Sequence, residues 1–297
     1  PWSMIDKITP RPDASVKKML EDAGFTDTES IVTSKNTYVA PFVNAEEAQY
    51  LVIENAFPNG RPALENAGVM FTSRETVEKV ERMKVCTCLN PLHTALAVYG
   101  CLLGYTKISD EMKDADLVKL VEIIGYKEGL PVVTDPGILS PKKFIDEVLQ
   151  IRVPNPFMPD TPQRIACDTS QKLSIRFGET IKEYMASSEL DVKSLKFIPM
   201  VQAGWCRYLL GVDDELNAFT VSPDPMYEEL AGKLAGVKVG ESCDVHAVLS
   251  PILSDAKIFG VNLYEAGLGE YVESIFAELI AGKGAVRETL KRHLAEA

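Results

Sequence analysis

The apolar residues of this chain recur at helical spacing over most of its length. From Val16 to Ala23 they stand three and four positions apart, which predicts an early helix that Asp13 caps and Gly24 ends. Between residues 30 and 57 the pattern changes to short β-branched and aromatic runs, which predict a few strands. The chain therefore begins with a mixture of helix and strand.

From Thr72 onward the pattern is almost wholly helical. Thr72 and Glu75 form a capping box that predicts one helix start, and Ser140 followed by a proline predicts another. Residues 197–210 read as a strongly apolar helix, and the segment from Gly284 to the end alternates charged and apolar positions like a surface helix. These patterns predict a mainly α fold.

Residues 82–100 form an apolar segment into which three polar groups are set. These groups are Lys84, Asn90 and His93. Asn90 and His93 are three residues apart, so on a helix they project from one face and can converge on one small molecule. Pro91 suits the first helical position, with Asn90 as its N-cap.

This segment resembles the polyol-specific long-chain dehydrogenases, the mannitol dehydrogenase family, and their sugar-acid relatives such as fructuronate reductase. Those proteins carry a lysine, then an asparagine, then a histidine three residues later. Further matching stretches cover residues 3–10, 54–62 and 161–172. Because the four segments occur in the same order, the resemblance covers most of the chain.

The resemblance implies a helical C-terminal domain of the 6-phosphogluconate-dehydrogenase-like type at residues 83–297. Residues 1–82 are then the strand-containing tail of a Rossmann-type nucleotide-binding domain. The chain lacks a Gly-x-Gly-x-x-Gly fingerprint, since Gly267-Leu268-Gly269 has neither the third glycine nor a preceding strand signal. We therefore expect most contacts to the implied cofactor, NAD or NADP, to come from residues outside this chain.

The resemblance also implies the catalytic groups. Oxidation of a secondary alcohol needs a base for the hydroxyl proton, and a lysine serves when burial or nearby cations lower its reference pKa of about 10.4. Lys84 is then the base, while Asn90 and His93 hydrogen-bond the reacting oxygen. The alternatives are a solvated lysine, a plain N-cap asparagine and a core histidine.

The spacing of Lys84 raises a geometric difficulty. The family lysine usually precedes the asparagine by five residues, whereas here the interval is six. On a regular helix Lys84 and His93 would then lie about 180° apart, against about 80° for the usual spacing. We expect either a π-bulge or a break at Asn90-Pro91, because Pro91 removes the hydrogen bond to the Thr87 carbonyl. Failing that, another group is the base.

A second cluster of charged residues follows at every fourth position. Arg164, Asp168, Lys172 and Arg176 predict one polar stripe on a helix, for which a solvated salt-bridge ladder is the ordinary explanation. The resemblance assigns Arg164 and Lys172 to substrate binding, where they hold a hydroxyl or carboxylate. Asp168 is then their internal counter-charge.

Other candidate residues lie outside these two segments. Asp6 belongs to the first matching stretch, whose family equivalent faces the cleft between domains, so it either binds a substrate hydroxyl or caps a loop. Arg207 is a candidate for a substrate carboxylate, and Trp205 is expected in the core. Arg61 has no clear assignment.

Composition narrows the function classes. A formal charge of −12 argues against nucleic-acid and anionic-membrane surfaces, and no apolar run approaches the eighteen residues of a membrane span. The six cysteines lie mainly in apolar helical patterns, as reduced thiols do. Cys86 and Cys88 lack a second pair at zinc spacing, so no metal is expected. These features predict a cytoplasmic protein.

The resemblance implies hydride transfer between NAD(P)H and C2 of an acyclic sugar derivative. Surplus positive charge at Arg164, Lys172, Arg176 and Arg207 favours D-fructuronate and D-mannonate as the pair. Mannitol or another polyol, and tagaturonate, are the alternative substrates. A different class of hypothesis is a non-catalytic helical binding or dimerisation module. The sequence leaves the choice of NAD or NADP and the oligomeric state open.

Overall fold

The computed structural model describes residues 1–5, 7–8, 14–29, 31–32, 38–39, 44–45, 50–156, 158 and 160–297. Within these ranges the protein is mostly helical, which confirms the mainly α expectation. The chain divides into two compact units, Pro1–Val77 and Glu78–Ala297.

The described residues of the first unit include short strands and an α-helix. The helix α1 spans Ala14–Asp22, and the positive φ of Gly24, 86°, ends the segment as predicted. Asp13, its expected cap, lies outside the described residues. The strands are β1 (Ser3–Ile5), β2 (Lys7–Ile8), β3 (Ile31–Val32), β4 (Tyr38–Val39), β5 (Asn44–Ala45), β6 (Leu51–Glu54) and β7 (Met70–Thr72).

Strand β6 is the centre of the principal sheet of the first unit. It pairs antiparallel with β1 and parallel with β7, so that Val52 stands opposite both Met4 and Met70. The pairs β2–β5 and β3–β4 form separate antiparallel ladders. Strands predicted between residues 30 and 57 are thereby confirmed in β3, β4 and β6.

Helices make up most of the remaining described residues. The α-helices are α2 (Arg74–Met83), α3 (Asn90–Leu102), α4 (Ile108–Glu111), α5 (Ala115–Glu122), α6 (Pro141–Glu147), α7 (Pro162–Ile165), α8 (Glu179–Ala186), α9 (Phe197–Tyr208), α10 (Tyr227–Leu234), α11 (Val245–Leu253), α12 (Ala256–Phe259), α13 (Gly269–Leu279) and α14 (Ala285–Ala295). Segments with π-helical hydrogen bonding are π1 (Lys84–Cys88), π2 (Ile123–Gly129), π3 (Val148–Arg152) and π4 (Ser174–Gly178). Short 3₁₀ turns occur at Leu64–Ala67, Leu130–Val132, Thr169–Gln171 and Val192–Ser194.

Of the two helix starts predicted from capping residues, one is correct. Ser140 caps α6, where its hydroxyl accepts the Lys143 backbone N–H, as its position before a proline indicates. The capping box was placed too early, because Thr72 ends strand β7. The hydroxyl of Ser73 accepts the N–H of Thr76 instead, and α2 begins at Arg74.

Helix α9 runs through the core of the second unit. Every residue from Phe197 to Tyr208 is buried, and the helix packs against α13 and α3. The approach to α3 is close, because a Cβ on Gly204 would stand 3.0 Å from the ring of Tyr99. Tyr99 also donates a hydrogen bond to the Met200 carbonyl. These contacts fix α3, the helix that carries Asn90 and His93.

A carboxylate from π2 completes the N-terminus of α9. Glu128 is buried and accepts the backbone N–H groups of Lys196, Phe197 and Ile198 at 2.7, 2.8 and 2.8 Å. Burial raises the pKa of Glu128, while the three donors oppose that shift. This acid therefore serves as a tertiary helix cap.

The helical run from Arg74 to Leu102 passes the length and hydropathy test for a membrane span. Yet 89% of its most apolar window is buried inside the protein. This burial is typical of the central helix of a globular core.

Candidate active site

The backbone between Lys84 and Asn90 is not a regular helix. The N–H of Leu89 donates to the carbonyl of Lys84, five residues back, over 3.1 Å. Leu89 itself leaves helical geometry with φ −131° and ψ −61°, and the N–H of His93 then donates to its carbonyl at the ordinary four-residue interval. The expected interruption is confirmed as a π-helical turn followed by a one-residue break.

This interruption changes the phase between Lys84 and His93. A π-turn holds one residue more than an α-turn, so π1 absorbs the extra residue of the six-residue interval. Since one residue corresponds to about 100° of rotation, the separation falls from about 180° toward about 80°. This change of phase favours a placement of Lys84 on the His93 side of the helix, and the charge of Lys84 lowers the pKa of His93.

The side chain of Asn90 is available for a ligand. Asn90 is the first residue of α3 and Leu89 occupies the cap position, so the expected N-cap role of Asn90 is wrong. Its carbonyl accepts the hydroxyl of Thr94 at 2.9 Å. Within the described ranges its half-buried amide group makes no hydrogen bond. No helix cap therefore occupies the amide.

His93 is buried and surrounded by cations. Burial lowers its pKa to about 3, and the charges of Arg152, Arg176, Arg164 and Lys84 lower it further in that order. The imidazole is therefore neutral at physiological pH. A neutral imidazole offers one donor and one acceptor, which suits a substrate hydroxyl or carbonyl.

Asp160 lies between His93 and Arg164. It is buried, one carboxylate oxygen is 3.8 Å from Nε2 of His93, and the other accepts Nη2 of Arg164. The distance to His93 is longer than a hydrogen bond. The Arg164 side chain is 51% exposed, so part of its guanidinium faces solvent. Asp160 thus links the histidine to the arginine that the sequence indicated.

The segment that follows Arg164 does not form one helix. Helix α7 ends at Ile165, and Asp168 adopts left-handed geometry with φ 52°. The predicted single polar stripe is therefore wrong, because the backbone turns at Asp168. The counter-charge role predicted for Asp168 is wrong for Arg164, which pairs with Asp160; at Lys172 the charge of Asp168 only partly opposes a net lowering of the pKa.

Lys172 still approaches the cluster. Its ammonium donates to the carbonyl of Cys167. Burial lowers the pKa of Lys172, and the nearby charge of Arg176 lowers it further. The loop is anchored by Asp224, whose carboxylate accepts the backbone N–H of Ser170 at 2.8 Å. The ammonium of Lys172 is therefore fixed by the Cys167 carbonyl and lies near Arg176.

Together these side chains form a compact polar site in the second unit. Its cations are drawn from four separate segments of chain, and the neutral imidazole of His93 lies among them, in the same helical turn as Asn90. Such a site can hold an oxygen that develops negative charge and can bind a polyhydroxylated acid. Residues 76–275 match the sequence profile of a family described as the mannitol dehydrogenase C-terminal domain.

The chain belongs to the mannitol dehydrogenase family. The resemblance drawn from four sequence segments is thereby confirmed. A D-mannonate oxidoreductase of Thermotoga maritima is 60% identical over 295 residues, which are 98% of this chain and 54% of that protein. Mannitol dehydrogenase DSF1 of Saccharomyces cerevisiae is 30% identical over 268 residues, or 89% of this chain and 49% of that protein.

A solved structure supports the same family. The Pseudomonas fluorescens mannitol 2-dehydrogenase, in ternary complex with NAD and D-mannitol, aligns with a TM-score of 0.73 and 26% identity. The alignment covers 99% of this chain and 54% of that one. This member of the mannitol dehydrogenase family therefore spans about half the length of the relatives it matches.

Other residues singled out in the sequence have different settings. Arg207 is wrong as a carboxylate ligand, because it is completely buried and donates to the carbonyls of Leu279, Val212 and Asp213. Trp205 is a core residue as expected. Asp6 lies outside the described residues.

The cysteines and the remaining arginine are also placed. Cys86 and Cys88 are buried, and burial raises the pKa values of their thiols to about 11 and about 12. In the part of the chain that the structure describes, no three His, Cys, Asp or Glu side chains cluster as metal ligands would. Arg61 stacks over the ring of Phe71 and pairs with Glu65.

Sequence reasoning missed three members of the site. Asp160 directly precedes Thr161, the cap of α7, and a turn-rich break hid its position. Arg152 ends π3, and its helical pattern carried no functional signal. Thr94 follows His93, and its link to Arg176 depends on contact between distant segments. No local pattern reveals such contacts.

Proposed function

We propose that this chain is the substrate-binding part of a nicotinamide-dependent dehydrogenase that acts on an acyclic sugar acid. The reaction is hydride transfer between NAD(P)H and C2, with D-fructuronate and D-mannonate as the favoured pair. The observation that carries this proposal is the neutral His93, which lies among cations and in the same first turn of α3 as Asn90. The similarity to a D-mannonate oxidoreductase supports the choice of an acid.

In the oxidation direction, Lys84 takes the hydroxyl proton of the substrate. Asn90 and His93 hydrogen-bond the same oxygen and stabilise its negative charge as the carbonyl forms. A bound nicotinamide cofactor would supply the acceptor for the hydride from C2 of the substrate. Reduction reverses each transfer, so the protonated Lys84 returns its proton to the oxygen.

Arg164 and Lys172 bind the rest of the substrate in this proposal. Arg164 presents a partly exposed guanidinium, and Lys172 is held at the Cys167 carbonyl. Asp6, in the stretch Ser3 to Pro10, binds a substrate hydroxyl by family resemblance. No catalytic metal takes part.

We further propose that residues 1–82 are the end of a Rossmann-type nucleotide-binding domain. Residues 83–297 are then a helical domain of the 6-phosphogluconate-dehydrogenase-like type. The side chains around His93 suit a polyhydroxylated substrate, whereas a glycine-rich phosphate loop is absent from the sequence. In this proposal, contacts to NAD or NADP come mostly from residues outside this chain. The protein acts on a small molecule in the cytoplasm.

A hydride assay tests the proposal. NAD(P)H oxidation is measured with fructuronate, tagaturonate and fructose, both for this chain and for a chain extended upstream of Pro1. We expect turnover by the extended chain, with the highest kcat/KM for fructuronate. Preference for fructose would indicate a mannitol 2-dehydrogenase, and preference for tagaturonate a tagaturonate reductase. Absence of turnover in both chains would favour a non-catalytic binding or dimerisation module.

A further inference from the structure

Arg176 is a half-buried guanidinium beside the start of α3. It lies in π4, and its Nη1 donates a 2.6 Å hydrogen bond to the hydroxyl of Thr94. Thr94 in turn donates to the carbonyl of Asn90. The guanidinium is therefore tethered next to the turn from which Asn90 and His93 project.

The position of π4 is set by close backbone packing. A Cβ on Gly178 would stand 2.2 Å from the carbonyl oxygen of Phe259, so only glycine permits this approach. Gly260 lies at the same crossing with a φ of 81°, and its own Cβ would approach the Ser174 carbonyl to 3.0 Å. Arg176 thus extends from rigid backbone.

The charge of Arg176 lacks a counter-ion in the described part of the chain. No carboxylate among those residues lies within ion-pair distance of its guanidinium, whereas Arg164 pairs with Asp160. The charge lowers the pKa values of His93 and Lys172. Burial lowers the pKa of Arg176 itself to about 10, so it stays charged at neutral pH. A partly desolvated cation of this kind favours an anion as partner.

We propose that Arg176 binds the carboxylate of the sugar-acid substrate and selects acids over neutral polyols. This inference rests on the proposed function and names its specificity-determining residue. The guanidinium has five N–H donors, of which Thr94 engages one nitrogen, so donors remain for a carboxylate. An anion is also attracted by the neighbouring cations Arg152, Arg164 and Lys172, whereas a neutral polyol gains no such attraction.

The test uses the chain extended upstream of Pro1, with Arg176→Gln and Arg176→Lys variants. Oxidation of D-mannonate is compared with that of D-mannitol. For Arg176→Gln we expect kcat/KM for mannonate to fall roughly 10- to 100-fold, mainly through KM, because charge-assisted hydrogen bonds are lost. The value for mannitol should change less than about threefold. Arg176→Lys should recover part of the mannonate activity. Lysine keeps the positive charge but lacks the planar guanidinium that binds a carboxylate through two parallel hydrogen bonds.

Arg287→Gln is the matched control. Arg287 is also half-buried, but it pairs with Asp114 and Asp116 away from the site. Its removal should leave the ratio of mannonate to mannitol activity unchanged. D-mannitol 1-phosphate is assayed as well, and a preference for this phosphate over mannonate would overturn the assignment of a carboxylate.

Thermal shift provides a readout apart from turnover. Mannonate should raise the melting temperature of the wild type and raise that of Arg176→Gln much less. If neither substrate turns over but this difference is found, the inference stands and the proposed reaction fails. Equal losses for mannonate and mannitol would instead show that Arg176 only positions α3. If Arg176→Gln does not fold, the Arg176→Lys comparison of KM values decides the question.

Discussion

Two arginines of the second unit show how differently a buried charge can be treated. Arg207 in α9 is fully buried, and its three donor nitrogens reach the carbonyls of Leu279, Val212 and Asp213. Arg176 in π4 is half-buried and, among the described residues, makes one side-chain hydrogen bond, to Thr94. The first has its hydrogen bonds completed by the fold, while the second keeps donors for something else. From the sequence alone, both arginines counted equally as positive charge for a substrate carboxylate.

The comparison shows that incomplete hydrogen bonding indicates a ligand only for a group that stays charged. A buried group that can become neutral needs no partner of opposite charge. Both carboxylate oxygens of Glu111 are buried without a hydrogen-bond partner among the described residues. Burial raises the pKa of Glu111 to about 10, so this acid is neutral at physiological pH. Arg176 keeps its charge under the same conditions. Its unfilled donors therefore point to an anionic ligand.

The largest effect is expected at Lys84, the proposed acceptor of the substrate proton. Lys84→Met in the extended chain should lower kcat by about 10²- to 10⁴-fold, because the proton acceptor is lost. The melting temperature should change little, since Lys84 is only half-buried. Steady-state kinetics measure kcat, and calorimetry measures the melting temperature. Lys233→Met, a half-buried lysine of α10, is the control, and equal losses in both variants would remove Lys84 from the mechanism.

The opposite pattern is expected at Arg207. Arg207→Leu removes an internal donor from the carbonyls of Leu279 and Val212, whereas Asp213 keeps the N–H of Leu216, so the free energy of unfolding should fall by about 3 kcal/mol. Activity per folded molecule should remain within about twofold. Denaturant unfolding checks the first value, with the exposed Arg292→Leu as the control, expected within about 0.5 kcal/mol. A selective loss of mannonate activity would instead indicate that Arg207 takes part in substrate binding.

A smaller effect is expected at the tether of Arg176. Thr94→Val removes the hydroxyl that accepts Nη1 and leaves the helix intact. The KM for mannonate should rise about fivefold, because a hydrogen bond of this kind contributes about 1 kcal/mol. Thr94→Ser should restore the wild-type value, as it keeps the hydroxyl. Unchanged kinetics in Thr94→Val would mean that the backbone alone fixes Arg176.

Much of the fold could be predicted from sequence. Apolar spacing located α9, and Ser140 located the start of α6, because both signals act within a few residues. The boundary at Thr72 was misjudged, since strand β7 competes with the capping box for that residue. The break at Asp168 was missed, because a left-handed residue other than glycine has a weak local signal.

The candidate site was predictable only in part. The interruption before Asn90 followed from Pro91 and from the six-residue interval, both of which are visible in the sequence. Asp160 was missed because its contact with His93 spans sixty-seven residues of chain and depends on how α7 packs against α3. Local patterns give the chemistry of side chains, whereas tertiary packing decides which of them meet.

The turn π1 also affects how the chain tolerates changes in length. It stores one residue beyond what a regular helix holds, between Lys84 and Asn90. Removal of a single residue there would let the segment relax to α-helical winding while the amine and the imidazole kept their relative orientation. A deletion that would misalign the side chains of a straight helix therefore leaves their orientation unchanged here. Homologues can differ by one residue in this interval and still keep the same arrangement of lysine, asparagine and histidine.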